Sequence, residues 1–181
     1  MERDNKKNER RYQLKFISHK GNIDRVNENL ENNLNYIQKA LDLDYDVEID
    51  VRLIDENLFL GHDNPDFEVS LDFLKNEKLW CHAKNLDALD FMIKEEIQCF
   101  WHQEDDYTIT STGKIWAYPG KPVTNQTVIV LMENFTINEV LLLKDCYGIC
   151  ADNILEVKNI LKNLNTALNL LGFQFPTYLS Y

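Results

Sequence analysis

Short apolar runs alternate with longer stretches whose apolar residues share one face, and this pairing recurs along the whole chain. Such alternation marks βα units, each strand being followed by a helix that packs back on the sheet. Strands are expected at Leu14–Ser18, Val47–Leu53, Leu58–Gly61, Leu79–Lys84, Gln98–His102, Val128–Met132 and Tyr147–Cys150. A hairpin or strand is expected over Tyr107–Tyr118, turning at Thr112-Gly113, before a turn at Pro119-Gly120. Leu30, Leu34, Ile37 and Leu41 share a helical face. A second helix is expected to bury Leu86, Leu89 and Ile93 behind an Asn85 cap, and a third covers Ile137–Leu143. The last carries Ile154, Val157, Leu161, Leu164 and Leu168 up to a Gly172 cap, and the aromatic tail Phe173–Tyr181 could close one end of the core.

Seven or eight strands with helices of uneven length make an α/β fold, best read as a small (β/α) barrel of the TIM type. A closed barrel of that type typically takes about 250 residues. This chain has 181, so the barrel is expected to be trimmed, with some helices shortened to loops. An open, doubly wound sheet is the alternative. Residues 1–11, crowded with charged residues and Asn, read as a disordered or frayed tail, and 12–181 as a single domain.

The formal net charge of −11 argues against a nucleic-acid partner, which is bound through Lys and Arg, and against docking on an anionic membrane. It leaves room for a small phosphorylated substrate, because a metal ion can supply positive charge locally. Cys81, Cys99, Cys146 and Cys150 form no C-x-x-C pair, and each lies in or beside an apolar run. They read as buried thiols rather than a disulfide framework or a zinc site. With no apolar signal-peptide core and no membrane-length apolar stretch, the expected location is the cytoplasm.

Four polar clusters stand where expected strands end: His19-Lys20-Gly21, Glu48-Ile49-Asp50, His62-Asp63 and His82-Ala83-Lys84. In a (β/α) barrel the strand ends converge on one pocket. Glu48 and Asp50 are two apart, so they share one face of a strand. Facing inward they would need a partner, and a divalent cation held by oxygen ligands would supply it. Facing outward they would be the solvated side of an antiparallel strand. His19 and His62 are candidate proton-transfer groups near neutral pH. His82 and Lys84 also share a face: His82 could complete a metal site and Lys84 could hold a phosphoryl oxygen, or Lys84 is simply solvated. His102, Trp116, Tyr118 and Asp152 are further strand-end candidates, although Asp152 also suits a helix cap, and Asp105-Asp106 reads as a solvated loop.

In this order, His-basic-Gly, Glu-Asn (Glu28-Asn29), Glu-x-Asp and His-Asp, the stretch from Ile17 to Asp63 resembles the glycerophosphodiester phosphodiesterase family. Gly148-Ile149-Cys150-Ala151-Asp152 looks like that family's last strand. The resemblance implies a phosphatidylinositol-phospholipase-like barrel that hydrolyses a small phosphodiester. It implies acid–base work for His19 and His62, and a Mg²⁺ or Ca²⁺ ion on Glu48 and Asp50. Lys20, Lys84, Asn29 and Trp116 are then expected on the substrate. Three departures stand out. Lys20 replaces the usual Arg and loses bidentate phosphate binding. His82 replaces the usual third carboxylate, which could favour Mn²⁺ or Zn²⁺. The chain is also short for the family. A catalytically inactive relative that binds a phosphorylated ligand is the alternative. The oligomeric state cannot be read from the sequence.

Overall fold

The computed structural model describes residues 14–170 apart from 132, 144 and 145. The expected tail at 1–11, Met132, the Gly172 cap and the segment Phe173–Tyr181 lie outside the described residues. The elements in order are β1 (Lys15–His19), α1 (Leu34–Asp42), β2 (Asp46–Ile54), β3 (Asn57–Leu60), β4 (Phe67–Glu68), α2 (Leu71–Leu74), β5 (Leu79–Ala83), α3 (Leu86–Lys94), β6 (Cys99–Phe100), β7 (Tyr107–Ile109), β8 (Ile115–Ala117), β9 (Thr127–Leu131), α4 (Ile137–Leu142), β10 (Gly148–Ala151) and α5 (Ile154–Leu170).

Among the described residues the strands form one curled, ten-stranded sheet. Its parallel strands run β6-β5-β2-β1-β10-β9-β8. Followed from β1, this is chain order in a ring, with the last strand beside the first. A doubly wound sheet would instead reverse direction at its middle. The ring is an incomplete barrel: β6 has two residues, and among the described residues it does not pair with β8. Ser111, in the turn between β7 and β8, spans the seam. Its N–H donates to the Cys99 carbonyl at 2.7 Å, and its Oγ accepts from the Cys99 N–H at 2.9 Å. Phe100 stacks on Trp116 across the same gap, ring centres 4.4 Å apart.

The period of two sorts the side chains. Ile17, Trp80, Phe100, Trp116, Val128 and Cys150 pack together inside the curl. Val47, Ile49, Val51, Leu79, Cys81, Ile129 and Ile149 face outward into a second, larger cluster with the helices. All four cysteines are buried. Among the described residues no helix is long and apolar enough to cross a membrane.

Helix details depart from the periodicity. Leu30 lies outside α1 and is exposed. In α3 the buried stripe is Ala88 and Met92, with Leu89 and Phe91 partly covered, whereas Leu86 and Ile93 are exposed. Asn85 explains this register. Its Oδ1 accepts from the N–H groups of Ala88 and Leu53 while its Nδ2 donates to the Leu53 carbonyl, so the cap is fastened to β2 and sets the helix's roll.

Candidate active site

The C-terminal ends of the parallel strands meet around a cavity of about 210 Å³. Its polar wall is His19, Lys20, Glu48, Asp50, His62 and His82. His102, Trp116, Tyr118, Pro119 and Val130 also line it.

β2 supplies the two carboxylates. Glu48 and Asp50 point inward and are buried, at 2% and 0% exposure. Glu48 Oε2 and Asp50 Oδ1 have no hydrogen-bond partner among the described residues. Leaving such oxygens dry and unpaired is costly. His82, opposite Asp50 on β5, completes the cradle. Its Nδ1 lies 3.3 Å from Asp50 Oδ1 and 3.6 Å from Glu48 Oε1, and one ligand atom from each of the three residues falls within 4.8 Å of the others. Its Nε2 donates to the His102 carbonyl at 2.8 Å, which turns Nδ1 toward the carboxylates, and its ring stacks on Phe100. An imidazole fixed by its second nitrogen on a backbone carbonyl is the usual support for a metal-ligating His. Two orphaned buried oxygens and an oriented nitrogen therefore fit a divalent metal.

Lys20 and Gly21 sit in a tight turn after β1. Both have positive φ, 52° and 91°. A Cβ on Gly21 would lie 2.9 Å from Tyr36 Cδ1, so the glycine is required. The Lys20 N–H donates to the Glu48 carbonyl at 2.9 Å. Its Nζ reaches Glu31 at 3.2 Å and Asp50 at 4.0 Å. Burial opposes its charge, but Asp50, Glu48 and Glu31 outweigh that and hold its pKa above the ordinary lysine value. Lys84 Nζ stands 3.8 Å from Asp50 Oδ1.

His19 Nδ1 pairs with Asp152 Oδ1 at 2.8 Å, and its Nε2 lies 3.7 Å from Glu48 Oε2. Burial works against the imidazolium, but the Asp152 hydrogen bond and the nearby Glu48 charge leave its pKa raised. His62 Nδ1 pairs with Asp50 Oδ2 at 3.1 Å. Burial would raise the Asp50 pKa. The hydrogen bond from His62, and the charged His82 and Lys20 side chains nearby, instead hold it well below the carboxylate range.

The structure thus brings His19, Lys20, Glu48, Asp50, His62 and His82 together, with Lys84 beside Asp50 and Trp116 lining the same cavity. Asn29 is a correction: it is exposed, in the turn before α1, and does not line the cavity. The Glu-Asn pair that reaches the site is Glu31-Asn32, three residues on. Asn32 brackets Asp50, donating from Nδ2 to Oδ2 at 3.1 Å and accepting the Asp50 N–H at 2.9 Å. Asp152 does not cap α5; Asn153 does, its Oδ1 accepting from the Glu156 N–H. Asp152 serves His19, and Asn22 holds it there, donating from Nδ2 to Asp152 at 2.8 Å and to Glu31 at 2.9 Å. Asn22 carried no motif in the sequence, and no local signal marked it. His102 turns its Nε2 to the Asp105 carbonyl and its ring edge toward Tyr118.

No family model matches the chain, and no curated protein matches it in sequence. A solved structure matches in three dimensions: the crystal structure of a glycerophosphoryl diester phosphodiesterase from Parabacteroides distasonis ATCC 8503. The likeness has a TM-score of 0.51 at 13% identity and covers 85% of this chain and 90% of that one. At that identity what the two chains are shown to share is the fold.

Proposed function

We propose that this chain is a metal-dependent phosphodiesterase for a small, glycerophosphodiester-like substrate. The observation that carries the reading is the buried cradle of Glu48, Asp50 and His82, with orphaned oxygens, flanked by His19 and His62 in one cavity. The fold likeness to a glycerophosphoryl diester phosphodiesterase supports it. The cavity's size and the acidic chain suit a small substrate better than a nucleic acid.

A divalent ion on Glu48, Asp50 and His82 would neutralise the phosphate and lower the pKa of the attacking hydroxyl. Lys20 and Lys84 add charge for the phosphoryl oxygens. His19 takes the proton from the nucleophile. Asp152 holds its Nδ1, leaves Nε2 for the transfer and stabilises the imidazolium that forms. His62, half exposed beside Asp50, returns a proton to the leaving alkoxide. Trp116 and Tyr118 wall the side where the alcohol sits.

One observation favours a second reading, a non-catalytic protein that binds a phosphorylated ligand. Burial opposes charge on His82, but the Asp50 and Glu48 carboxylates 3.3 and 3.6 Å from its Nδ1 push its pKa up to about 9. A protonated His82 offsets one of the cradle's two carboxylate charges without any ion. Hydrolysis of bis-(p-nitrophenyl) phosphate and a glycerophosphodiester panel, with Mg²⁺, Ca²⁺, Mn²⁺ or Zn²⁺, separates the two. Turnover that needs both a metal and His19 supports the enzyme. Folded protein that binds a phosphorylated ligand and turns over nothing with any ion supports the second reading.

A further inference from the structure

Arg52 stands two residues past Asp50 on β2, so its side chain leaves the strand on the site's face. It adds no cation to the cavity, whose lining does not include it. Its guanidinium turns instead to two successive carbonyls: Nε donates to Gly61 at 3.2 Å and Nη2 donates to His62. These carbonyls flank the sharp exit of the chain from β3. Gly61 has φ 146° there, and a Cβ on it would lie 2.0 Å from the Asn64 carbonyl oxygen. The His62 side chain is 49% exposed, with Asp50 at 3.1 Å and Asp63 at 4.0 Å as its ionic neighbours. A ring so open is not held by packing. Its aim depends on the backbone that carries it.

We propose that Arg52 is the positioning residue for His62, clamping the backbone on both sides of the His62 Cα so that Nδ1 meets Asp50 and Nε2 is left for proton transfer. The proposal rests on the reading of His62 as a proton-transfer group. It makes β2 the source of both parts of the site, the metal carboxylates and the clamp that fixes the histidine against them. A planar fork can hold two adjacent carbonyls at once, whereas a lysine ammonium is a single mobile point. Misplacing a reacting group by about 1 Å can cost about 10²-fold in rate.

The test compares Arg52→Met, which keeps the stem, and Arg52→Lys, which keeps the charge, with wild type. Two quantities are read: steady-state kinetics on the best phosphodiester, and the ring-nitrogen spectrum of His62, assigned with His62→Gln. In Arg52→Met kcat is expected to fall about 10- to 100-fold, with KM within about threefold. The His62 nitrogens should move from one hydrogen-bonded tautomer toward an exchanging pair, and Arg52→Lys should restore neither property. An unchanged His62 spectrum overturns the proposal, as does full rescue by Arg52→Lys, which would make the effect one of charge. A purely structural role would lower Tm but leave the spectrum and the kcat of the folded fraction as in wild type. If wild type itself turns over no phosphodiester, the functional reading fails while the nitrogen spectrum still decides the clamp. If Arg52→Met does not fold, Arg52→Lys decides by the same spectrum: a wild-type pattern there overturns the clamp.

Discussion

Strand β2 carries buried carboxylates at its start and in its middle, and they are treated oppositely. At the start of the strand Asp46 is saturated: Lys15 Nζ lies 3.2 Å from Oδ1, and Trp80 Nε1 donates to Oδ2 at 3.0 Å. Burial raises its pKa, and Lys15 and Trp80 pull it back. Two and four residues later, Glu48 and Asp50 are equally buried, yet each leaves an oxygen without a hydrogen-bond partner among the described residues. The surrounding charges are collected around those oxygens rather than consumed by them. A carboxylate completed by the protein is a structural part. One left incomplete at the converging strand ends is a place for something the chain does not encode.

This contrast can be broken by experiment. The largest effect is expected at the cavity, around the incomplete carboxylates. His19→Ala should lower kcat by about 10²–10⁴-fold while Tm stays close to wild type; an equal loss of both would make His19 structural. Next comes Glu48→Gln. The rise in Tm on adding a divalent ion to wild type should vanish, and calorimetry should show affinity weakened by at least about 10²-fold. An unchanged Kd would move the metal elsewhere.

The pH dependence follows from His82. Its pKa is raised from the usual 6.5 to about 9, so the stability it contributes is fully present below about 6.5 and is lost as pH rises through about 9. Metal-free protein should therefore lose on the order of 5–10 °C in Tm across that window. Metal affinity should rise over the same range, because the ion must displace the His82 proton. Asp50 has the opposite sign: its contribution is present above the ordinary carboxylate pKa and is lost as acid drives pH down through its lowered value. The smallest effect belongs to the completed carboxylate. Asp46→Ala strands the buried Trp80 N–H and should cost about 1–3 kcal/mol by denaturant titration, with kcat per folded molecule unchanged. Lost activity at wild-type stability would erase the distinction between Asp46 and the Glu48–Asp50 pair.

Much of this arrangement could be seen before the coordinates. The period-two run of Glu48 and Asp50, and the histidines at strand ends, required only that the strands converge. What stayed hidden depends on contacts distant in sequence. Glu28-Asn29 and Glu31-Asn32 are the same dipeptide three residues apart, in a segment outside α1 with no periodicity to choose between them. The choice is made by Lys20 and Asn22, which meet Glu31, and by Asp50, which meets Asn32. Asp152 precedes a helix and so has the look of a cap. Only the pairing of β10 with β1 turns it toward His19. The face of α3 was misjudged because an apolar count ignores the Asn85 anchor, which rolls Ala88 and Met92 inward. Arg52 resembles any surface cation until the Gly61 and His62 carbonyls are placed against it.

The meeting of the last strand with the first has a consequence for how the molecule comes into being. His19 and Asp152 are 133 residues apart in the chain. During synthesis at roughly 5–20 residues per second, several seconds or more separate their emergence. In the later part of that interval the partially made protein already contains Glu48, Asp50, His62 and His82, but its His19 lacks the carboxylate that orients it. Contacts of such long sequence separation are also slow to close. Under the proposed function, proton transfer through His19 waits on the docking of β10, so recovery of activity during refolding would report the arrival of that strand, whereas recovery of helical signal would not.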